Sequence, residues 1–221
     1  MIELINLSKW YSLRQGKHIV LDNINLRVEP GEKVGVLGRN GEGKSTLIRI
    51  LSGADRPNTG QIRREMKLSW PLAFSGGFQG SLTGLDNLKF ICRVYGVDFQ
   101  DKIDQVQAFA ELGKFLYEPT KTYSQGMRAR LAFAISLIVD FDCFLIDEVT
   151  AVGDASFRSK CDYELFERRR DRAFIFVSHD VEKITKYCER AFVINGGKLW
   201  DFPDINDAIQ FYKDSIPGIK V

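Results

Sequence analysis

The sequence predicts an α/β fold in which strands and helices alternate, interrupted by a helical insert near residues 80–140. Two observations predict the alternating core. Short apolar runs at 33–38, 143–147 and 173–178 are typical of buried strands, and an apolar helix face follows the first of them. A third observation predicts the insert, because apolar side chains recur every three or four residues through 102–116, as on one face of a helix.

The composition is that of a globular protein. A length of 221 residues predicts one sizeable domain with an inserted subdomain, and 44% apolar against 27% charged residues argues against disorder. The net charge of +2 gives no general attraction to nucleic acid or anionic lipid, so no nucleic-acid partner is expected. The most apolar stretch, 131–146, contains Asp140 and Asp142 and is too short to span a bilayer. A membrane function would therefore require another chain to cross the membrane.

The cysteines and histidines predict neither a zinc site nor a disulfide framework. The chain has two histidines, and its cysteines form no Cys-x-x-Cys pair. Reduced cytosolic thiols are expected at Cys92, Cys143, Cys161 and Cys188.

The elements of the core follow in order along the chain. Residues 2–11 and 23–32 alternate in part between polar and apolar side chains and predict two strands, the second ending in a Pro-Gly turn. The run KVGVLG at 33–38 predicts a third strand, and TLIRILSG at 46–53 predicts a helix that stops at its glycine. After the helical insert, further strands are predicted at 143–147, 173–178 and 190–196.

The glycine-rich stretch between the third strand and its helix predicts a phosphate-binding loop. It reads GRNGEGKST and fits the pattern G-x-x-x-x-G-K-[ST] in the strand–loop–helix context that the pattern requires. Glycines let backbone N–H groups surround phosphate oxygens, and the helix N-terminus adds partial positive charge. The lysine can reach the outer phosphates, and the serine hydroxyl can bind Mg²⁺. The predicted contacts are Gly38, Arg39, Asn40, Gly41, Glu42, Gly43, Lys44, Ser45 and Thr46.

A second motif, CFLIDE at 143–148, ends a buried strand in two acidic residues. Asp147 at the strand end, beside the phosphate loop, can hold Mg²⁺ through water. Glu148 can orient or deprotonate an attacking water molecule. Together with the phosphate loop, the motif predicts a site for hydrolysis of a nucleotide.

The stretch between these motifs resembles the signature loop of ATP-binding-cassette ATPases. Ser124 and Gly126 precede an apolar helix, about twenty residues before Asp147. The family form is Leu-Ser-Gly-Gly-Gln, from which this chain departs at Tyr123, Gln125 and Met127. The resemblance implies a RecA-like phosphate-loop NTPase core, an N-terminal antiparallel β layer and an α-helical signature subdomain. It implies a core of about 1–79 and 141–221, a subdomain of about 80–140, and ATP with Mg²⁺ at the site.

Further landmarks of the family fall in the same order. Gln79 matches the loop that senses Mg²⁺, Asp154 matches the loop that crosses to the partner subunit, and His179 matches the switch histidine. The signature loop, which would act on the partner's ATP, corresponds to Ser124, Gln125, Gly126 and Met127. The implied catalytic residues are Lys44, Glu148 and His179, and the implied Mg²⁺ ligands are Ser45, Gln79 and Asp147.

Two residues compete for the adenine ring. Tyr11 lies upstream of the phosphate loop, where the family stacks an aromatic side chain on the base. His18 is the rival, because the segment SLRQGKH reads as a short insertion that brings a second ring to the same region.

The stretches 68–84 and 123–157 are similar to ATPases that energise capsular-polysaccharide export. Residues 147–154 also occur in ATPases that export O-antigen or teichoic acid, many of which carry an additional C-terminal glycan-binding domain. A chain that ends at Val221 has no room for such a domain, so its length favours the capsule branch.

The resemblance also implies partners. Two copies would face each other, with each ATP between the Lys44 loop of one copy and Ser124 with Gly126 of the other. An integral membrane permease of the ABC-2 exporter type, which would handle the polysaccharide, is expected to dock near residues 81–95 at the cytoplasmic face of the inner membrane. The apolar residues of that segment are Leu82, Leu85, Leu88 and Phe90.

Two other classes of function remain as alternatives. A soluble ATPase of the same superfamily acting on DNA or ribosomes usually has a tandem cassette or a long coiled-coil insert, and neither fits in 221 residues. A non-catalytic nucleotide-binding scaffold has no need of catalytic groups. The presence of the catalytic set argues against it: Lys44, Asp147, Glu148 and His179.

Overall fold

The computed structural model describes residues 1–14, 16–72, 77–147 and 154–215. The chain divides into two compact units, which are described separately. The core unit comprises Met1–Pro71, Phe141–Glu148 and Arg170–Val221, and the helical unit comprises Leu72–Asp140 and Val149–Arg169. Among the described residues, no helix combines the length and the apolar content needed to cross a bilayer.

The core unit contains two sheets. Strands β1 (Ile2–Leu13), β2 (Gly16–Val28) and β4 (Thr59–Arg64) form an antiparallel sheet in the order β2-β1-β4, which confirms the predicted antiparallel layer. The second sheet has the order β5-β6-β7-β3-β8-β9. Its strands are β3 (Lys33–Gly38), β5 (Leu68–Pro71), β6 (Cys143–Asp147), β7 (Ala173–Ser178), β8 (Arg190–Asn195) and β9 (Lys198–Phe202).

The second sheet is parallel from β5 to β8, with β9 antiparallel at its edge. Strand β7 is buried along its whole length, and β3 is buried from its second residue onward, because helices and the antiparallel layer cover the sheet. The sheet therefore forms the core, and the carboxyl ends of its parallel strands share one edge.

Three helices lie in the described part of the core unit: α1 (Lys44–Leu51), α6 (Val181–Tyr187) and α7 (Ile205–Asp214). Apolar residues of α1 pack into the core cluster, among them Leu47 and Ile50, which are fully buried. Asp180 and Asp204 cap the N-termini of α6 and α7 by accepting hydrogen bonds from backbone N–H groups. These caps end the preceding strands and orient the helices that follow.

The helical unit contains α2 (Gly84–Tyr95), α3 (Ile103–Ala110), α4 (Gln125–Ile138) and α5 (Ala155–Asp162), which continues into a π-helical segment at Tyr163–Glu167. Thr83 begins α2 with a capping box, and Gly96 ends it in a left-handed conformation. Helix α4 packs against α2 and α3, where Phe109 stacks on Phe133 at a centroid distance of 5.6 Å.

The helix expected to run through 102–116 is shorter than predicted. It ends at Ala110, because Glu111 adopts a positive φ of 54° and a 3₁₀ turn follows at Gly113–Tyr117. The Glu111 carboxylate accepts hydrogen bonds from Lys160 (2.8 Å) and Arg130 (3.3 Å), which hold the break in place. The expected apolar face is nevertheless buried across the break, at Val106, Phe109, Leu112 and Leu116.

Several boundaries also differ from expectation. The segment read as an insertion is an extension of the β1–β2 pair as far as Leu13 and Gly16. Strands β4, β5 and β9 have no counterpart among the predicted elements. The helical unit begins at Leu72, whereas the sequence predicts a start near residue 80. Its second part, described at 154–169, falls within the range that the resemblance implies for the core.

Candidate nucleotide-binding site

The phosphate loop links β3 to α1, as the sequence predicts. Gly41 and Gly43 have positive φ angles of 89° and 103°, which turn the chain sharply before the helix. The first turn of α1 leaves its N–H groups without partners inside the helix, and Ser45 is exposed there while Thr46 is half-buried. The end of this eight-residue helix can therefore donate to the oxygens of a bound phosphate group.

Gly43 permits a close approach between the loop and β2. A Cβ at this position would lie 2.8 Å from Val20 Cγ1 and 3.1 Å from the Val20 carbonyl oxygen. Val20 falls where β2 has one residue more than β1, between the pairs Trp10–Ile19 and Lys9–Leu21. The bulge in β2 thus fits directly against Gly43, the N-cap residue of α1.

A substitution at Gly43 is expected to damage the loop more than one at Gly41. Gly41→Ala adds only the cost of a positive φ, about 1–2 kcal/mol, because a Cβ there meets nothing within 4 Å. Gly43→Ala adds the clash with Val20, roughly a further 1–3 kcal/mol, and displaces the loop from its nucleotide-binding shape. Thermal unfolding and ATP titration of both variants measure the difference. Equal losses in the two variants would contradict the close approach.

Lys44 is held inside the loop. Its Nζ donates hydrogen bonds to the carbonyl oxygens of Gly38 (2.5 Å) and Arg39 (3.0 Å), and the residue is 9% exposed. An ammonium group forms stronger hydrogen bonds to anionic oxygens than to neutral carbonyls. The oxygens of a triphosphate are such acceptors, so the position of Lys44 in the loop fits its predicted role.

Glu42 is an acidic residue in a loop that is expected to bind an anion. Its carboxylate Oε2 accepts a hydrogen bond from the Gly196 backbone N–H at 2.8 Å, at the turn between β8 and β9. The same turn is also bonded to β2, because the Gly197 carbonyl accepts a hydrogen bond from Asp22 N–H at 2.8 Å. The negative charge is therefore engaged by the turn, a contact that the motif alone does not reveal.

The other core residues of the predicted site lie at strand ends. Asp147 ends β6 and pairs in register with Val177 of β7, which in turn pairs with Val36 of β3. His179 directly follows β7. Because parallel strands share one carboxyl edge, Asp147, His179 and the phosphate loop emerge on the same side of the sheet. Glu148, the predicted catalytic carboxylate, lies outside the described residues.

The predicted Mg²⁺ site would share its ligands with the nucleotide. Within the described part of the chain, no group of three or more His, Cys, Asp or Glu side chains is arranged to hold a metal ion. Mg²⁺ usually binds one or two protein ligands together with substrate phosphates and water. Ser45 at the start of α1 and Asp147 at the end of β6 match that chemistry, so the residues present fit a magnesium–nucleotide complex.

Tyr11 and His18, the two candidates for the adenine ring, are cross-strand neighbours in the β1–β2 pair. Directly paired residues of an antiparallel pair share one face, so both rings lie on the same side of the hairpin. The Tyr11 hydroxyl donates to Asp55 Oδ2 at 3.1 Å, and Lys9 Nζ lies 5.0 Å from the centre of its ring. Tyr11 is 40% exposed, which leaves ring surface for a base.

Substitution can separate these two candidates. Tyr11→Ala is expected to lower ATP affinity by about 5- to 150-fold, the equivalent of roughly 1–3 kcal/mol of base stacking. Binding of inorganic triphosphate, which has no base, should not change. Tyr11→Phe keeps the ring and removes only the bond to Asp55, and therefore serves as the matched control. If His18→Ala instead produces the base-dependent loss, His18 is the stacking residue.

The remaining predicted residues lie in the helical unit. The backbone of Gln79 is fixed because its N–H donates to Asn87 Oδ1 at 3.0 Å and its carbonyl accepts from Leu82 N–H at 3.0 Å. Asp154 caps α5 by accepting from Phe157 N–H at 2.9 Å, and its other oxygen accepts from Arg130 at 2.7 Å. The hydrogen bond from Phe157 and the charge of Arg130 lower the pKa of Asp154, so it is ionised at neutral pH.

The signature loop begins α4. Ser124 is the N-cap, and its Oγ accepts a hydrogen bond from Met127 N–H at 3.2 Å. Gln125 and Gly126 form the first turn, and Gln125 is exposed. A Cβ at Gly126 would meet nothing nearer than Ser124 Oγ at 3.9 Å. The positive end of a fourteen-residue helix is therefore accessible at this loop.

A phosphate loop that leaves a buried parallel strand and opens a helix, with a carboxylate and a histidine at neighbouring strand ends, defines a phosphate-loop nucleotide-binding protein. A sequence profile of the family described as "ABC transporter" matches residues 21–151, more than half of the chain. The chain therefore belongs to the ABC transporter family.

Relatives of this chain match it over nearly its whole length. The capsule polysaccharide export ATP-binding protein CtrD of Neisseria meningitidis serogroup B is 57% identical over 98% of this chain and 100% of the relative. The ATP-binding protein BexA of Haemophilus influenzae is 55% identical over 97% and 99%. The polysialic acid transport ATP-binding protein KpsT of Escherichia coli is 44% identical over 98% and 100%.

Solved structures share the fold at lower sequence identity. The ATP-binding cassette MJ0796, determined as a dimer in a post-hydrolysis state with ADP and phosphate, superimposes with a TM-score of 0.77 at 22% identity, over 90% of this chain and 96% of that one. An ATP-binding subunit of an ABC transporter gives 0.78 at 18% identity, over 100% and 95%. These similarities confirm the predicted α/β class and the cassette fold.

Proposed function

We propose that this chain is the ATP-binding and hydrolysing subunit that energises export of capsular polysaccharide through a separate membrane permease. The observation that carries the proposal is its 57% identity to a capsule export ATP-binding protein across the full length of that relative. The phosphate loop, with its glycines and Lys44 in place, supports the nucleotide-dependent part of the proposal.

The core unit would bind and orient ATP. Backbone N–H groups of the loop and of the first turn of α1 would donate to the phosphate oxygens. Lys44 would exchange its bonds to the Gly38 and Arg39 carbonyls for bonds to the outer phosphates. Tyr11 or His18 would hold the base. Ser45 and Asp147 would hold Mg²⁺, which neutralises phosphate charge when bound.

Hydrolysis would depend on groups at the strand ends. Glu148 would orient the attacking water molecule and accept its proton. His179 directly follows β7 on the same edge of the sheet and would contact the γ-phosphate. Because such contacts form only while the γ-phosphate is present, they would let ATP shift the equilibrium between open and closed forms.

Two copies would form the working unit. The accessible N-terminus of α4, with Ser124 and Gly126, would contact the γ-phosphate of ATP bound to the other copy. Asp154 would lie in the segment that crosses to the partner, and Gln79 would contribute to the Mg²⁺ site. The exposure of Ser124 and Gln125 supports this arrangement, since a helix end used only for packing would be covered.

The permease would dock on an apolar surface of the helical unit. Phe90 and Val94, one turn apart on α2, are 55% and 58% exposed, and Leu82 is 38% exposed. Phe115 and Tyr117 of the adjacent 3₁₀ turn are 44% and 54% exposed. Exposed apolar and aromatic side chains such as these favour contact with a protein over contact with solvent. Leu88, which the sequence predicts at this surface, is instead fully buried and packs inside the unit.

Cross-linking tests this docking surface and, with it, the transport role. Cysteines introduced at Phe90 and Val94 are expected to cross-link to a membrane protein in native membranes. Phe211→Cys, on α7 of the core unit, is the matched control. The native cysteines are buried, and burial raises the pKa values of the Cys143, Cys161 and Cys188 thiols to about 12, so background reaction is low. Cross-links formed only from position 211 would refute the placement.

The proposed location follows from this docking. The chain would sit at the cytoplasmic face of the inner membrane as a peripheral protein, held by the permease. The polysaccharide itself would be handled mainly by the permease.

A further inference from the structure

A cluster of buried polar side chains joins the start of α2 to the segment that precedes the signature loop. Asn87 and Thr120 are 3% and 1% exposed. Asn87 accepts from Gln79 N–H at 3.0 Å and donates to the Thr83 carbonyl at 2.8 Å. Thr120 donates through its N–H to the Leu82 carbonyl at 2.9 Å. Buried polar groups that are fully bonded hold a structure in one arrangement, so residues 79–84 and 119–123 form one rigid piece.

Tyr123 completes this cluster and directly precedes Ser124. It is 3% exposed, and its hydroxyl donates to the Phe115 carbonyl. A Cβ at position 84 would lie 2.5 Å from the Tyr123 hydroxyl oxygen, so only glycine at the start of α2 leaves room for it. Burial raises the pKa of Tyr123, which keeps the hydroxyl protonated as a donor.

Phe115 connects the same cluster to the exposed apolar surface. Phe115 is 44% exposed as a residue, whereas its carbonyl accepts a hydrogen bond from the Tyr123 hydroxyl inside the unit. A partner that presses on the Phe115 ring would shift its carbonyl, and the bonded Tyr123 would follow. Because Tyr123 adjoins the N-cap of α4, that shift would change the position of Ser124.

We propose that Tyr123 is a positioning residue that transmits permease contact at Phe115 to the signature-loop serine, Ser124. The inference rests on the proposed function, because it requires a permease at this surface. The proposed relay is short. It consists of the hydrogen bond from the Tyr123 hydroxyl to the Phe115 carbonyl and of the peptide unit that joins Tyr123 to Ser124.

The test compares ATP turnover of the transporter, purified from native membranes through a tag on this chain, with turnover of the isolated chain. Tyr123→Phe removes only the hydroxyl. The ratio of the two turnover rates is expected to fall by about 2- to 10-fold, the factor that one ordinary hydrogen bond contributes. Tyr163→Phe, which removes the hydroxyl of a tyrosine that is 58% exposed in the same unit, is the matched control and should keep the wild-type ratio.

The outcomes separate the inference from the function on which it rests. The relay is overturned if the Tyr123→Phe variant keeps the ratio of transporter turnover to isolated-chain turnover that the wild type shows. This holds even if both turnover rates fall by the same factor, because the hydroxyl would then have only a structural role. The proposed function, and the relay with it, is contradicted by either of two results for the wild-type chain. One is equal turnover by the transporter and by the isolated chain, and the other is that no membrane protein is purified with the tagged chain. Gly84→Ala pushes a methyl group against the Tyr123 hydroxyl and should lower the ratio independently if Tyr123→Phe does not fold.

Discussion

Replacing Lys44 with alanine is expected to lower ATP affinity by at least about 10-fold, because a charge-assisted hydrogen bond is worth roughly 1.5–3 kcal/mol. The ammonium group is buried in the loop and bonded to the Gly38 and Arg39 carbonyls, and alanine has no group to replace it. Export should be lost with binding, since the later steps require bound ATP. Titration of the purified variant with ATP measures the change.

A matched control distinguishes this effect from a general loss of positive charge. Lys213→Ala removes an exposed lysine near the end of α7 and should bind ATP as the wild type does. Thermal unfolding of the Lys44→Ala variant without nucleotide reports any damage to the loop itself. Unchanged affinity in a folded Lys44→Ala variant would contradict the phosphate-binding role of residues 38–46.

Replacing Glu148 with glutamine is expected to slow ATP hydrolysis by about 10²- to 10⁴-fold while ATP binding is retained. The amide has nearly the shape of the carboxylate, but it cannot accept the proton of the attacking water. Because it is neutral, it should not repel the nucleotide. Bound ATP should then hold two copies together, since closure depends on the γ-phosphate and not on its cleavage.

Size-exclusion chromatography with ATP and Mg²⁺ and a phosphate-release assay measure these two effects on the same sample. Glu167→Gln removes an exposed carboxylate in the π-helical segment and serves as the control, with wild-type turnover expected. Turnover at the wild-type rate in Glu148→Gln would remove Glu148 from the catalytic role.

The parts of the site that were predictable are those encoded by contiguous residues. The phosphate loop lies within one stretch of nine residues. The pattern of those residues predicts the sharp turn that the glycines form before the helix. Asp147 was predictable for the same reason, because a buried apolar run ends at it. The local sequence therefore predicts where the loop lies and how its backbone turns.

The parts that were missed depend on contacts between distant segments. The break in α3 at Glu111 is held by Lys160, forty-nine residues away in sequence. The contact between Glu42 and Gly196 spans 154 residues, and nothing in either segment predicts it. Strand β4 is mostly exposed and shows no alternation, so the usual strand signal is absent. Tyr123 reads as a departure from the family motif, and the sequence does not predict that its hydroxyl donates a hydrogen bond to the Phe115 carbonyl.

The central claim is that ATP hydrolysis by this chain drives export of the capsule. The most direct measurement is the amount of capsular polysaccharide on the surface and inside cells that carry Glu148→Gln as their only copy of this chain. The proposed function predicts that surface capsule is lost and that polymer accumulates inside the cell, because synthesis continues while export stops. A normal surface capsule in those cells, with the variant present at wild-type levels, would contradict it.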